Sequence, residues 1–195
     1  MVSRETLITR YFPEREREIT LYADFLVSAG IERGLIGPKE GEIIWERHIF
    51  NSLPLLPLIP EGATVVDIGS GAGLPGIPIA LARPDLTVVL VEPLQRRVDF
   101  LNEALALLDV SNLSVFRGQA QDYKPKAFIV TARAVAPMEK LKKMTWHILK
   151  PGGLLLAIKG SSASEEVKTV PGAQLHELIS EDLPIGRVIS LRKPG

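Results

Sequence analysis

Residues 64–76, Thr-Val-Val-Asp-Ile-Gly-Ser-Gly-Ala-Gly-Leu-Pro-Gly, constrain this chain more than any other stretch. The β-branched run 64–68 reads as a buried strand. It leads directly into Gly69, Gly71, Gly73 and Gly76. Glycines at this spacing permit a sharp turn and let a ligand approach where a Cβ would stand. Pro75 suits the first turn of a helix, where a missing N–H costs nothing. Strand, glycine turn and helix N-terminus together make the ligand-binding end of a doubly wound α/β sheet.

The rest of the chain alternates at a matching pace. Strands are expected at 87–91, 113–116, 127–131 and 154–158, and helices at 77–82, 95–108 and 138–149. Lys150-Pro151-Gly152-Gly153 reads as the turn into the fifth strand. A helix at 164–170 and two extended runs, 173–180 and 187–191, close the pattern with an antiparallel pair. The fold class is therefore α/β: a mostly parallel, seven-stranded, Rossmann-like sheet over residues 61–195. Residues 1–60 read as a helical extension packed on that core. Its helices are expected at 3–12, 14–29 and about 40–52, and Pro54, Pro57 and Pro60 form a stiff linker after them. Ile19, Leu21, Tyr22, Phe25 and Leu26 make a buried helical stripe.

Two acids select the ligand. A pyrophosphate on the helix N-terminus would be repelled by Asp67, which stands two residues before the first glycine and is expected at the mouth of the site. S-adenosylmethionine carries no phosphate, and its ammonium and sulfonium are cationic. Glu92 follows the second strand, where an acid accepts from ribose hydroxyls. Asp67, Gly69 and Gly71 with Glu92 thus favour S-adenosylmethionine over NAD as cofactor. Ligands in such sheets sit beyond the strand C-termini, where Ala120, Gln121, Arg133 and Lys159 also fall. The loop 118–122 is either an adenine clasp or a plain connection.

Composition narrows the chemistry. A chain of 195 residues with 46% hydrophobic residues fits one domain with an ordinary core. There is no apolar stretch of membrane-spanning length and the first residues are polar, so a cytoplasmic protein without a membrane partner is expected. Cysteine is absent and the three histidines are scattered, which removes disulfides, thiolate zinc and a cysteine nucleophile, and no metal is expected. Net charge is zero, yet between residues 133 and 159 Arg133, Lys140, Lys142, Lys143, Lys150 and Lys159 face only Glu139. This is either a solvated face or a basic patch beside the site. Arg96 and Arg97 open a helix at the wrong end for its dipole, either as phosphate contacts or as a solvated pair. His48 on a partly apolar helix reads, by itself, as a satisfied structural residue.

Methyl transfer is an in-line displacement in which the cofactor already activates the electrophile. Methylating a pyrimidine C5 usually needs a cysteine adduct. Methylating an exocyclic amine usually needs an Asn/Asp-Pro-Pro-aromatic loop after the fourth strand, where this chain has Thr131-Ala132-Arg133-Ala134. Guanine N7 presents a lone pair and no proton, so it needs no general base.

Four blocks stand in order: Trp45-x-Arg47-His48-x-x-Asn51-Ser52, Asp67-x-Gly69-Ser70-Gly71-x-Gly73-x-Pro75-Gly76, Thr131-Ala132-Arg133-Ala134, and Leu149-Lys150-Pro151-Gly152-Gly153 through Lys159-Gly160. With them the chain resembles the RsmG (GidB) family, which methylates guanine N7 in the 530 loop of 16S ribosomal RNA. The resemblance implies an enzyme using S-adenosylmethionine, with contacts at Gly69, Leu74, Ala120, Gln121 and Arg133, and Glu92 at the ribose. It implies Arg133 and Lys159 beside the reacting guanine, and Arg47 and His48 orienting the site or meeting RNA. Arg133, Lys159 and His48 are then the catalytic set, and Arg47, Arg96, Arg97, Lys140, Lys143 and Lys159 the RNA-binding set. The implied partner is 16S rRNA in the 30S small ribosomal subunit, met by a monomer. Many members carry Asp and Glu where this chain has Asn51 and Gln121. The competing readings are a small-molecule methyltransferase, a non-catalytic cofactor- or RNA-binding module, and an NAD-dependent dehydrogenase.

Overall fold

The computed structural model describes residues 3–178 and 183–195. Seven strands, β1 (Thr64–Ile68), β2 (Thr87–Glu92), β3 (Leu113–Arg117), β4 (Ala127–Arg133), β5 (Leu149–Lys159), β6 (Ala173–Leu178) and β7 (Gly186–Arg192), form one sheet. Their order is β3-β2-β1-β4-β5-β7-β6. The first five are mutually parallel, β7 is antiparallel to both neighbours, and the expected closing pair is present with β7 inserted between β5 and β6. The part of the 173–180 run beyond Leu178 lies outside the described residues. The chain winds outward from β1 through β2 and β3, then crosses back to β4 on the other side of β1. That reversal leaves a crevice at the carboxyl ends of β1 and β4, the place such sheets hold ligands.

Among the described residues six α-helices accompany the strands: α1 (Arg4–Tyr11), α2 (Glu16–Phe25), α3 (Gly76–Ala82), α4 (Gln95–Leu108), α5 (Met138–Thr145) and α6 (Ala163–Glu166). Central strands are apolar on both faces because both are covered. On one side Val65, Val88, Leu90 and Ile129 pack with α3, α4 and the N-terminal helices. On the other, Val66, Ile68, Val130 and Ala132 pack with Met138, Leu141 and Ala163. The extension is part of the first layer. Phe12, Ile19, Tyr22, Phe50 and Leu53 are buried there, and Phe25 stacks on Phe100 of α4 at 4.6 Å between ring centroids. The Tyr22 hydroxyl donates to the Ala72 carbonyl at 2.8 Å, which fastens α2 to the glycine loop.

Two local expectations need correction. Residues 50–58 are a 3-10 helix through Pro54 and Pro57, not a stiff linker. Proline's fixed φ suits this geometry, and the buried Pro54 ring sits where a Cβ on Gly186 would stand, 2.2 Å from the Pro54 Cβ. Lys150-Pro151-Gly152-Gly153 lies inside β5, and α5 stops at Thr145. The Gly152 N–H donates to the Lys193 carbonyl and the Lys193 N–H to the Gly153 carbonyl, so the glycines join the sheet. The β4–β5 register shifts between Ala127 and Ile129 to accommodate them. Among the described residues no helix is long and apolar enough to cross a membrane.

Candidate active site

Three strand ends enclose a cavity of about 580 Å3. The loop after β1 contributes Gly69, Ser70, Gly71, Ala72 and Leu74; the end of β2 contributes Glu92, Pro93 and Leu94; the end of β4 contributes Arg133, Ala134 and Val135. The extension supplies the facing wall through Leu35, Ile36, Glu40 and His48. The volume lies in the range of small-molecule sites.

The glycines divide by task. Gly71 has φ +60°, and the nearest atom to a Cβ built there is the Gly69 carbonyl at 3.8 Å, so its missing side chain leaves room for a ligand. Gly76 is closed in. A Cβ there would lie 2.3 Å from Leu90 Cδ2 and 3.0 Å from Asp67 Oδ2, so this glycine lets α3 settle onto β1 and β2.

Asp67 does not stand at the mouth. It is fully buried beneath the loop and is not part of the cavity wall. The Thr131 hydroxyl donates to Oδ1 at 2.9 Å and the Gly76 N–H donates to Oδ2 at 3.3 Å. Thr131 reaches it because β1 and β4 place the two residues opposite each other. Burial pushes its carboxyl up to about 6, against the hydrogen bonds and the Arg133 charge, which pull it down. Asp67 therefore ties loop, α3 and β4 together.

Glu92 is as buried, at 1% exposure, yet lines the cavity. Oε2 accepts from the Gly71 N–H and Oε1 from the Leu94 N–H, both at 3.0 Å. Each oxygen keeps acceptor capacity for a vicinal diol. Arg97 stands 3.6 Å away, which accounts for a cation at the start of α4: it answers Glu92 across the cavity rim. Arg96 is exposed.

Arg133 is held from the extension. Its Nη2 lies 3.0 Å from His48 Nδ1, and His48 Nε2 lies 3.1 Å from Glu40 Oε2. Glu40 Oε1 pairs with Arg47 Nε at 3.0 Å. Burial and the Arg133 charge hold the His48 imidazole below its usual range. Burial pushes the Glu40 carboxyl up, but the Gly37 N–H, His48 and Arg47 outweigh this and hold it below the ordinary range. The residue after Arg133, Ala134, has φ +53°, a strained conformation for a side-chain-bearing residue, on the cavity wall.

The remaining expected site residues disperse. Leu74 lines the cavity. Ala120 is buried and Gln121 exposed in a short helical turn after β3, and neither lines the cavity. The Lys159 ammonium does not reach the site: it pairs with Glu166 at 2.7 Å, donates to the Ala136 carbonyl at 2.8 Å, and its side chain is 9% exposed. It braces the loop after Arg133 from behind. Lys140 and Arg47 are exposed, and Lys143 is exposed in a pair with Glu139. Among the described residues no cluster of three or more His, Asp or Glu is arranged to hold a metal. Sequence reasoning missed Glu40 and the apolar lining at Leu35, Ile36, Ala72, Pro93, Leu94 and Val135. Only Glu40 left a signal, an acid seven residues before Arg47 and eight before His48 on one helical stretch.

The residues present fit S-adenosylmethionine: an open glycine at the loop, a buried acid with free acceptor positions for the ribose, and a guanidinium at the far wall for the anionic tail or the acceptor base.

A family model described as "rRNA small subunit methyltransferase G" matches residues 15–183. A curated relative, ribosomal RNA small subunit methyltransferase G of Streptomyces avermitilis, is 47% identical over 165 residues, which cover 83% of this chain and 69% of that protein. Among solved structures, the S-adenosylmethionine-dependent methyltransferase SibL in its apo form aligns with TM-score 0.65 at 13% identity, over 96% of this chain and 73% of that one. A T. thermophilus 16S rRNA methyltransferase in complex with AdoMet and guanosine aligns with TM-score 0.54 at 17% identity, over 73% of this chain and 43% of that one. At those identities the structural likeness is one of fold.

Proposed function

The chain belongs to the rRNA small subunit methyltransferase G family, and from that premise we propose that it transfers a methyl group from S-adenosylmethionine to N7 of a guanine in the 530 loop of 16S rRNA. When bound, the cofactor supplies a methyl group already activated by its sulfonium. What remains for the chain is positioning. Glu92 and the main chain at Gly69 and Gly71 hold the nucleoside end, with Leu74 as apolar wall. The loop at Ala120 and Gln121 lies outside the cavity wall but is joined to Glu92 through the Gly118 N–H, and it offers its main chain to an adenine that extends past Glu92. Arg133 turns its remaining N–H donors toward the acceptor edge of the guanine and the ligand's carboxylate.

The observation that carries this reading is that, among the described residues, the imidazole at the site has no free nitrogen to take a proton, while the two buried carboxylates are committed elsewhere, Asp67 beneath the loop and Glu92 to the ribose. Both His48 nitrogens are engaged, by Arg133 and by Glu40, and Asp67 and Glu92 each accept from two donors. A ring nitrogen that brings its own lone pair suits such a site; an amine that must lose a proton does not. His48 thus acts through Arg133, and Lys159 acts through the loop behind it. The exposed Arg47, Arg96, Lys140 and Lys143 meet RNA phosphates, so binding weakens with salt. The extension, residues 1–60, works as one unit with the core, and the protein acts as a monomer on the 30S subunit in the cytoplasm. The charged and imidazole groups set in the mixed lining, Glu40, His48, Glu92, Arg97 and Arg133, do not favour a small apolar substrate.

The test is methyl transfer from labelled S-adenosylmethionine to unmethylated 30S subunits and to naked 16S rRNA, with nucleoside analysis of the product. N7-methylguanosine at one 530-loop site is expected, and Arg133→Ala should abolish it while the fold is kept. A product methylated on an exocyclic amine overturns the ring-nitrogen reading. Full activity of Arg133→Ala overturns the site.

A further inference from the structure

Among the described residues Glu40 bonds to neither the glycine loop nor a strand end, yet the polar chain behind Arg133 runs back to it. A guanidinium has donors only, so the 3.0 Å contact between Arg133 Nη2 and His48 Nδ1 requires a lone pair on Nδ1. A neutral imidazole then carries its hydrogen on Nε2, where it needs an acceptor. Glu40 Oε2 is that acceptor, at 3.1 Å. The carboxylate is itself fixed, by the Gly37 N–H on Oε2 at 3.3 Å and by Arg47 Nε on Oε1 at 3.0 Å. We propose that Glu40 is a positioning residue: by accepting the His48 Nε2 hydrogen it keeps the imidazole in the tautomer whose Nδ1 receives Arg133, and so presets the guanidinium at the cavity wall.

Without that acceptor, only the Arg133 donor favours the hydrogen on Nε2, and the Nε2–H is left without a partner. A hydrogen on Nδ1 sets donor against donor at Arg133, and the guanidinium leaves its place. Glu40 and His48 come from the extension and Arg133 from β4, so the extension completes the site rather than merely covering the core. The arrangement depends on an acceptor at Oε2 and not on the charge of Glu40. Gln at this position offers a carbonyl oxygen to His48, and Arg47, whose side chain is 59% exposed, turns to solvent. This proposal rests on the reading of Arg133 as a working residue of the methyl-transfer site.

The experiment has two parts. Nitrogen-15 correlation spectra of the full chain, with and without S-adenosylmethionine, read the His48 tautomer directly. The hydrogen is expected on Nε2; a hydrogen on Nδ1 overturns the proposal. Glu40→Ala should then mix the tautomers and lower turnover at saturating cofactor roughly 10- to 100-fold through misplacement of Arg133. Glu40→Gln should restore the tautomer and most of the turnover. Glu40→Ala with an unchanged tautomer and turnover, or Glu40→Gln as impaired as Glu40→Ala, overturns it. If Glu40→Ala does not fold, the wild-type spectrum and Glu40→Gln still decide. The spectra need no RNA, so a wrong RNA target fails separately from a wrong tautomer.

Discussion

Asp67 in β1 and Glu92 at the end of β2 lie near the carboxyl ends of neighbouring parallel strands, and each is buried and accepts two hydrogen bonds. They differ in where the donors come from. Those of Asp67 come from β4 and the start of α3, on the inner side of the loop, and they close the carboxylate off. Those of Glu92 come from the main chain of the cavity rim, at Gly71 and Leu94, and they leave it facing the open volume. The same functional group, a carboxylate, at the same kind of strand end thus serves cohesion in one case and faces the open cavity in the other. The direction of the donors decides which.

The largest expected effect separates the two through pH. The Asp67 carboxyl lies at about 6 in the folded chain against 3.8 ordinarily. The folded state therefore holds a proton that the unfolded state releases. The stability this group contributes is present below about 3.8 and is lost as pH rises through about 6. At about 1.4 kcal/mol for each pH unit between those two values, the loss amounts to about 3 kcal/mol. Asp67→Asn cannot ionise, so the wild-type stability relative to this variant should fall by that amount across the window in urea unfolding. A difference that stays flat with pH would break the comparison, because Asp67 would then be no more closed off than a solvated acid.

Glu92→Gln tests the other side. One amide oxygen replaces two carboxylate oxygens, the NH2 group faces a main-chain N–H, and Arg97 loses its partner. The loss of charge-assisted hydrogen bonds should weaken S-adenosylmethionine binding by roughly 10- to 100-fold in titration calorimetry. Affinity within twofold of wild type would make Glu92 a second clasp.

The smallest effect comes from the glycines. Gly71→Ala places a methyl group in open space at φ +60°, so it should cost about 1 kcal/mol of stability while lowering cofactor affinity. Gly76→Ala meets Leu90 and Asp67 away from the cavity wall, so it should cost more stability, about 1–3 kcal/mol from overpacking, and leave cofactor affinity within about twofold. Thermal unfolding and cofactor titration on the two variants read the crossing directly.

Much of the fold was legible. The strand 64–68 and the helix 95–108 have the expected bounds, because the first is a β-branched run and the second repeats its apolar residues with helical period. Local rules failed where tertiary pairing outweighed them. Glycines that spell a turn joined β5 because Lys193 offered partners, and prolines that spell a linker stayed helical because Pro54 had Gly186 to pack on. In the site, Arg133, His48, Gly71 and Glu92 were expected and lie together at one cavity.

The sequence by itself determined the periodicities, the glycine turn and the acid after β2, because these follow from backbone sterics and from burial pattern over a few residues. Only the tertiary structure decided which charges meet. Lys159 found Glu166 rather than the cavity, Arg97 found Glu92, and Glu40 and His48 reached across from the extension to Arg133. A salt bridge or a tautomer depends on distances of about 3 Å between groups far apart in the chain, and no local pattern encodes those.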